Sequence, residues 1–190
     1  METNTLYVID QKEGLGLEFS KLVSMMDFTR FTTISAVENL TVEELDFLYD
    51  EEANSIGMLL AHMASVEKFY QIQTFENRDI TETEMNVLNP GFGLGTEGRE
   101  KIKGNTIDFY LTHLATVRNE TIETFKTLSD EWLFEQMPFW DGNLMNNYFK
   151  WFHVFEDELN HRGQIRIIKK MMKKKETQVQ PNSNSSSSGK

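Results

Sequence analysis

Only three prolines, at positions 90, 138 and 181, punctuate a chain of 190 residues, and that scarcity narrows the architecture more than any other feature. Proline stops a helix and is excluded from central strands, so long proline-free intervals leave the choice to hydrophobic periodicity. Apolar residues in these intervals recur every three to four positions and seldom alternate, which is the pattern of amphipathic helices. The chain reads as all-α.

A first helix is expected over 15–39, with Leu22, Met25, Met26, Thr29, Thr33 and Val37 on its inward stripe. Thr41 and Glu44 have capping-box spacing for a short helix. Asn54 and Ser55 are N-cap candidates for a second long helix ending near Phe75. Residues 76–104 break the pattern and crowd together Gly91, Gly93, Gly95, Gly98 and Gly104, which reads as a long connection over one end of a bundle. The glycine spacing echoes a nucleotide-binding fingerprint, but no strand precedes it and no βαβ unit surrounds it, so no nucleotide cofactor is expected.

A third long helix is expected over 106–128, a short turn or helix at Ser129, a turn at Asp141-Gly142, and a last long helix over 144–175. Four long helices with one long connection make a four-helix bundle. It forms a single domain over 1–175, long enough to bury roughly two-thirds of the surface its unfolded form exposes. Residues 176–190 are polar and serine-rich, a composition expected to give a disordered tail.

The chain has no cysteine. Disulfides, thiolate metal ligands and a cysteine nucleophile are therefore excluded, and any thiol chemistry must use a thiol brought by a substrate. Nineteen basic residues stand against thirty acidic ones, a net charge of −11, which argues against nucleic acid as a partner. The one basic cluster, at 169–175, suits the C-terminal end of a helix dipole. With neither a secretory leader pattern nor a membrane-spanning run, no membrane partner is expected and the protein is expected in the cytoplasm.

Chemistry concentrates in HVFEDELNHRGQI, residues 153–165. Positions four apart on a helix lie only about 40° from each other around the axis, so Asp157 and His161 lean the same way, flanked by Val154, Ile165 and Ile168. His62 shares an apolar sector of the second long helix with Ser55, Leu59 and Val66. Burying these groups unpaired would be costly. One economical solution is a divalent metal held by His62, Asp157 and His161, since nitrogen and oxygen ligands suit Zn, Ni, Fe or Mn. A metal-free buried polar network is the other.

His153 competes by the same four-residue logic with Asp157. It lies about 12 Å along the axis from His161 at 1.5 Å per residue, so those two histidines cannot share an ion. His113 reads as structural or exposed, and Glu156 and Glu158 as solvent-facing. Glu67 is a weaker partner candidate for His62, and Arg162, Gly163 and Gln164 serve either packing or hydrogen bonds to the ligands.

The segments NSIGMLLAHMASVE and HVFEDELNHRGQI resemble the two signature segments of the DinB-like superfamily of damage-inducible, metal-binding four-helix bundles, a likeness that extends roughly over residues 15–172. The resemblance implies a metal triad at His62, position 157 and His161, the last directly before Arg162-Gly163-Gln164. Members commonly carry histidine where this chain has Asp157, which keeps a ligand but makes the site more anionic and harder, favouring Fe, Mn or Ni. The resemblance also implies a stress-response role and transfer of a low-molecular-weight thiol, of the bacillithiol or mycothiol kind, onto a small electrophile. A related metal-dependent hydrolase, a thiol-dependent isomerase and an iron site for oxygen chemistry share that ligand set. The competing class is a non-catalytic dimeric stress or binding protein with a metal or polar network in its bundle.

Tyr148, Phe152, Phe155 and Leu159 lie roughly opposite Asp157 and give the last helix a second apolar face. A homodimer through that face is expected.

Overall fold

The computed structural model describes residues 6–179. Helix α1 (Leu17–Val37) starts where the carboxylate of Asp130, far along the chain, accepts from the Glu18 and Phe19 backbone N–H groups at 3.1 and 3.2 Å. The short α2 (Val42–Leu45) carries the expected capping box between Thr41 and Glu44. Ser55, not Asn54, caps α3 (Ile56–Phe75): its hydroxyl accepts from the Met58 N–H at 3.2 Å.

The expected long connection is instead largely helical. Helices α4 (Glu82–Phe92) and α5 (Gly95–Lys101) fill it, and α4 opens on a capping box made by Thr81 and Glu84. Its glycines serve close packing. A Cβ on Gly91 would press on Ser65 and on the Ala61 carbonyl, and one on Gly98 would meet Met58 and the Pro90 carbonyl. Gly91 lets α4 lie directly on α3, and Gly98 lets α5 close on α4 beside the tip of Met58.

Thr106 caps α6 (Ile107–Phe125), and a 3-10 turn follows at Asp130–Phe134. The Asp141-Gly142 turn closes a hairpin of β1 (Gln136–Phe139) and β2 (Asn143–Asn146), antiparallel with Phe139 opposite Asn143. Both turn residues have positive φ, 53° and 77°, the conformation that Asp and Gly tolerate best. The hairpin takes the residues expected to begin the last helix, so α7 (Asn147–Val179) starts three positions after 144. It also runs past the expected end at 175; the rest of the expected tail, 180–190, lies outside the described residues.

Four long helices close a ring in which α3 packs on α6 and α7, and α1 packs on α7 and α6. The core has two apolar halves. One gathers Val37, Leu59, Met63, Leu114 and Ile165; the other gathers Phe19, Leu22, Met26, Phe125 and Trp151.

A layer of buried charge divides them, with one residue from each long helix: Arg30, Glu67, Arg118 and Glu158. Arg118 Nε donates to Glu67 at 2.7 Å, Arg30 Nε donates to Glu158 at 3.0 Å, and cross-pairs at 3.3 and 3.4 Å close the quartet. The remaining guanidinium protons reach the Leu114 and Met26 carbonyls, and Thr121 donates to Glu67. Two cations and two anions leave the layer neutral.

The expectation that Glu158 faces solvent is therefore wrong: it is 1% exposed. It sits about 100° around α7 from Asp157, on the side turned toward α1 and α6. Glu67 likewise joins the quartet instead of supporting His62. Glu156 is half-buried and accepts from His153 Nδ1 at 3.0 Å. Among the described residues no helix is long and apolar enough to cross a membrane.

Candidate metal centre

Helices α3 and α7 bring His62, Asp157 and His161 together, with one ligand atom from each lying within 4.8 Å of the others. His161 Nε2 is 3.3 Å from Asp157 Oδ1, and His62 Nε2 is 3.7 Å from Asp157 Oδ2. The two imidazole rings meet edge to face with centroids 4.6 Å apart. Ligand atoms about 2.1 Å from one tetrahedral ion lie about 3.4 Å from each other. The spacing between these nitrogens and the carboxylate oxygens therefore suits a shared cation.

Outer hydrogen bonds set the inward nitrogens. His62 Nδ1 lies 3.0 Å from the Gly91 carbonyl, which can only accept, so this nitrogen carries a proton. That carbonyl belongs to the last turn of α4, where helix geometry leaves carbonyls without intrahelical partners. His161 Nδ1 lies 3.3 Å from Gln164 Oε1 and donates to it. An imidazole whose one proton is held at Nδ1 turns its Nε2 lone pair toward Asp157, the tautomer that ligation would require.

Asp157 Oδ2 is buried with no hydrogen-bond partner. An orphaned carboxylate oxygen facing two ring nitrogens fits a group that would accept electron pairs from all three. Burial pushes the Asp157 carboxyl up, but with no ion between them the protonated His161 and His62 rings, through hydrogen bonding and charge, outweigh it and hold the group well below the usual carboxylate range. Burial acts to lower the His161 pKa; the Asp157 carboxylate overcomes that and raises it.

The remaining expected residues separate cleanly. His153 bonds Glu156 and meets Tyr70 edge to face, with ring centroids 6.1 Å apart, and stays outside the cluster. His113 is exposed on α6. Arg162 reaches Thr32 on α1, so of the Arg-Gly-Gln run only Gln164 touches a triad member. Gly91 supports the site without having been legible as a support, because its carbonyl matters and its side chain does not exist. Tyr70, Phe69 and Phe92 wall the same region. The Phe92 ring lies 6.3 Å from His62.

An all-α bundle with a histidine and carboxylate cluster between two long helices, able to hold a metal ion, is the architecture of the DinB-like superfamily. Within it, the family described as Mycothiol-S-transferase matches residues 21–173, and the chain belongs to that family. Among solved structures it is similar to one titled "Crystal structure of the conserved protein of locus from Enterococcus faecalis", at 14% identity over 79% of this chain and 94% of that chain, with a TM-score of 0.60. That likeness concerns the fold alone. No curated protein matches the chain.

Proposed function

We propose that the protein is a metal-dependent S-transferase that joins a low-molecular-weight thiol, of the mycothiol or bacillithiol kind, to a small electrophile. The observation that carries this reading is the buried, unpartnered Asp157 Oδ2 facing two histidine nitrogens, in a chain of the mycothiol-S-transferase family. His62, Asp157 and His161 would be the ligands. One carboxylate among them makes Fe, Mn, Ni or Zn the candidate ions.

When bound, the divalent ion supplies Lewis acidity that lowers the pKa of a thiol. The protein's own groups hold the geometry: Gly91 and Gln164 fix the two ring tautomers, and Asp157 offsets positive charge at the centre. A new carbon–sulfur bond forms as the electrophile's leaving group departs with its electron pair, or as its activated double bond accepts one. The thiol proton goes to solvent, and in the addition case a solvent proton returns to the carbon that received the electron pair. The absence of cysteine from the chain fits a nucleophile that arrives with the cosubstrate. A cytoplasmic role in stress defence, by removing reactive electrophiles, accompanies the reading.

The deciding experiment is metal content by inductively coupled plasma mass spectrometry on tag-free protein, comparing wild type with His161→Ala. Near-stoichiometric metal in the wild type and its loss in the variant are expected, followed by thiol consumption in a screen of electrophiles. A wild type that neither carries nor takes up Zn, Ni, Mn or Fe(II) would overturn the proposal.

One observation favours a second reading. His161 and Asp157 lie close enough to satisfy each other's charge, as in a metal-free network inside a binding protein, and the metal-free result would select it. We also propose a homodimer through the outer face of α7, where Phe152 is 42% exposed beside Phe149 and Phe155. Helix α1 already covers part of that face, since Phe155 is buried and shares a groove with Met25 and Phe28. Sedimentation should show a dimer at micromolar concentration that Phe152→Glu converts to monomer; a monomeric wild type would sink the idea.

A further inference from the structure

Lys150 is a buried charge that neither the metal centre nor the quartet uses. It is 1% exposed, and its Nζ has no hydrogen-bond partner. Its amine instead sits over the Phe139 ring of β1, 4.7 Å from the centroid. Lysine ordinarily extends its stem so that the ammonium reaches water. An ammonium kept inside without an acceptor is among the costliest groups to bury, and one ring face returns only part of that cost. Burial lowers its pKa, with no anion opposing the shift.

Its position relates it to the metal centre. Asp157 and His161 follow Lys150 by seven and eleven residues, which at 100° per residue places all three within about 20° of one line along α7. The axial separation from Lys150 to Asp157 is about 10 Å at 1.5 Å per residue. Aromatic rings occupy the interval. Tyr70 lies 5.8 Å from Phe139 and 6.1 Å from His153, and the Phe69 and Phe92 pair continues the wall to His62. Phe69, Phe92 and Phe139 are all only partly buried. The hairpin bearing Phe139 pairs with no other strand among the described residues, and the Phe139 ring lies against the amine.

We infer that Lys150 is an anion subsite which, once the Phe139 ring swings aside, binds a carboxylate at the far end of the thiol cosubstrate, whose sulfur is presented at His62, Asp157 and His161. This rests on the thiol-transfer reading. The charge count selects a carboxylate: a lone ammonium neutralises one monoanion, whereas a phosphate dianion would remain half unpaired in an apolar surround. The axial separation of about 10 Å between the two levels of α7, taken as the scale of the ligand, corresponds to about three residues of extended chain. The cosubstrate class is therefore a peptide-sized thiol with an acidic terminus, and aromatic rings along the path accept its uncharged middle.

The test uses the metal-loaded full chain and two matched probes, N-acetyl-Cys-Gly-Gly as the free acid and as its C-terminal amide, with binding measured by isothermal titration calorimetry. The acid should bind wild type at least ten times more tightly than the amide. Lys150→Met, which keeps the stem's volume and removes an unpaired charge, should lower acid affinity to that of the amide while metal content and amide affinity stay unchanged. Equal binding of both probes to wild type would overturn the subsite and leave thiol transfer standing. So would an acid preference that persists in Lys150→Met. Failure of both probes to bind would also overturn the subsite, and the thiol reading is then decided separately by metal content and the electrophile screen. The wild-type comparison needs no variant to fold.

Discussion

His62 Nδ1 lies 3.0 Å from the carbonyl oxygen of Gly91. That one contact ties the candidate metal centre to α4, which reaches α3 closely only because position 91 has no side chain. A methyl group there would press on Ser65 Oγ and would stand 3.0 Å from the Ala61 carbonyl oxygen, and the backbone of α3 cannot move aside as a side-chain tip can. Gly91→Ala should therefore push α4 outward and release the His62 ring. Losing such an outer hydrogen bond typically lowers metal affinity about 10-fold or more, and overpacking costs about 1–3 kcal/mol. Chelator competition and thermal unfolding would measure both effects. Unchanged affinity would show that the Gly91 carbonyl does not orient the ligand.

Asp157 occupies the position at which the resemblance to the DinB-like superfamily implies a histidine. Asp157→His should retain a metal, because three ligands remain, and should move the preference from Mn toward Zn as a hard oxygen gives way to a softer nitrogen. Asp157→Ala should lose it. Competitive dialysis against equal Zn and Mn, with content read by mass spectrometry, separates the cases. Full metal content in Asp157→Ala would remove position 157 from the ligand set.

The buried quartet makes a sharper stability prediction than the metal centre does. Glu158→Gln preserves shape but leaves Arg30 and Arg118 with one carboxylate between them. Breaking a buried pair from one side costs about 3–5 kcal/mol, and each kcal/mol moves the midpoint by about 2–4 °C for a domain of this size. A fall in Tm of about 10 °C is expected. Glu156→Gln, on the neighbouring half-buried position, should cost less than about 1 kcal/mol. Equal effects from the two variants would show that the layer is not a stability determinant.

How much of this was readable depends on whether a residue acts through its own local pattern. Ser55 and Thr106 announce their helices because a cap needs only the next turn, and Asp157 and His161 pair visibly because one helix holds both. Helix α4 hides because Pro90, Gly91 and Gly93 look like loop punctuation; the Thr81 and Glu84 capping box was the available sign. The strands of four residues around Asp141-Gly142 are too short to show alternation, and one contains Pro138. Glu158 misleads for a different reason. A glutamate beside a polar stripe reads as solvated unless Arg30, Glu67 and Arg118 are seen at the same level on three other helices. Each interrupts an inward apolar run at a matched height. That coincidence belongs to the assembled bundle.

Acid should unfold the bundle through Glu67. Burial raises its pKa, but the Arg118 and Arg30 charges, with hydrogen bonds from Arg118 and Thr121, reverse that and leave the folded-state value below the ordinary 4.5. A depressed folded pKa means that the unfolded chain binds the proton first as pH falls, so stability rises with pH across this window. The contribution is complete above the ordinary glutamate range and is lost progressively as pH drops through 4.5 toward the folded value. Denaturant titrations between about pH 7 and pH 3 should show a plateau followed by a decline. Glu67→Gln removes the titrating group and should flatten part of that decline, while lowering the plateau because Arg30 and Arg118 then lack a counter-charge. A variant with a lower plateau and an unaltered slope would assign the acid sensitivity to other carboxylates and keep for Glu67 only its role in neutralising the two arginines.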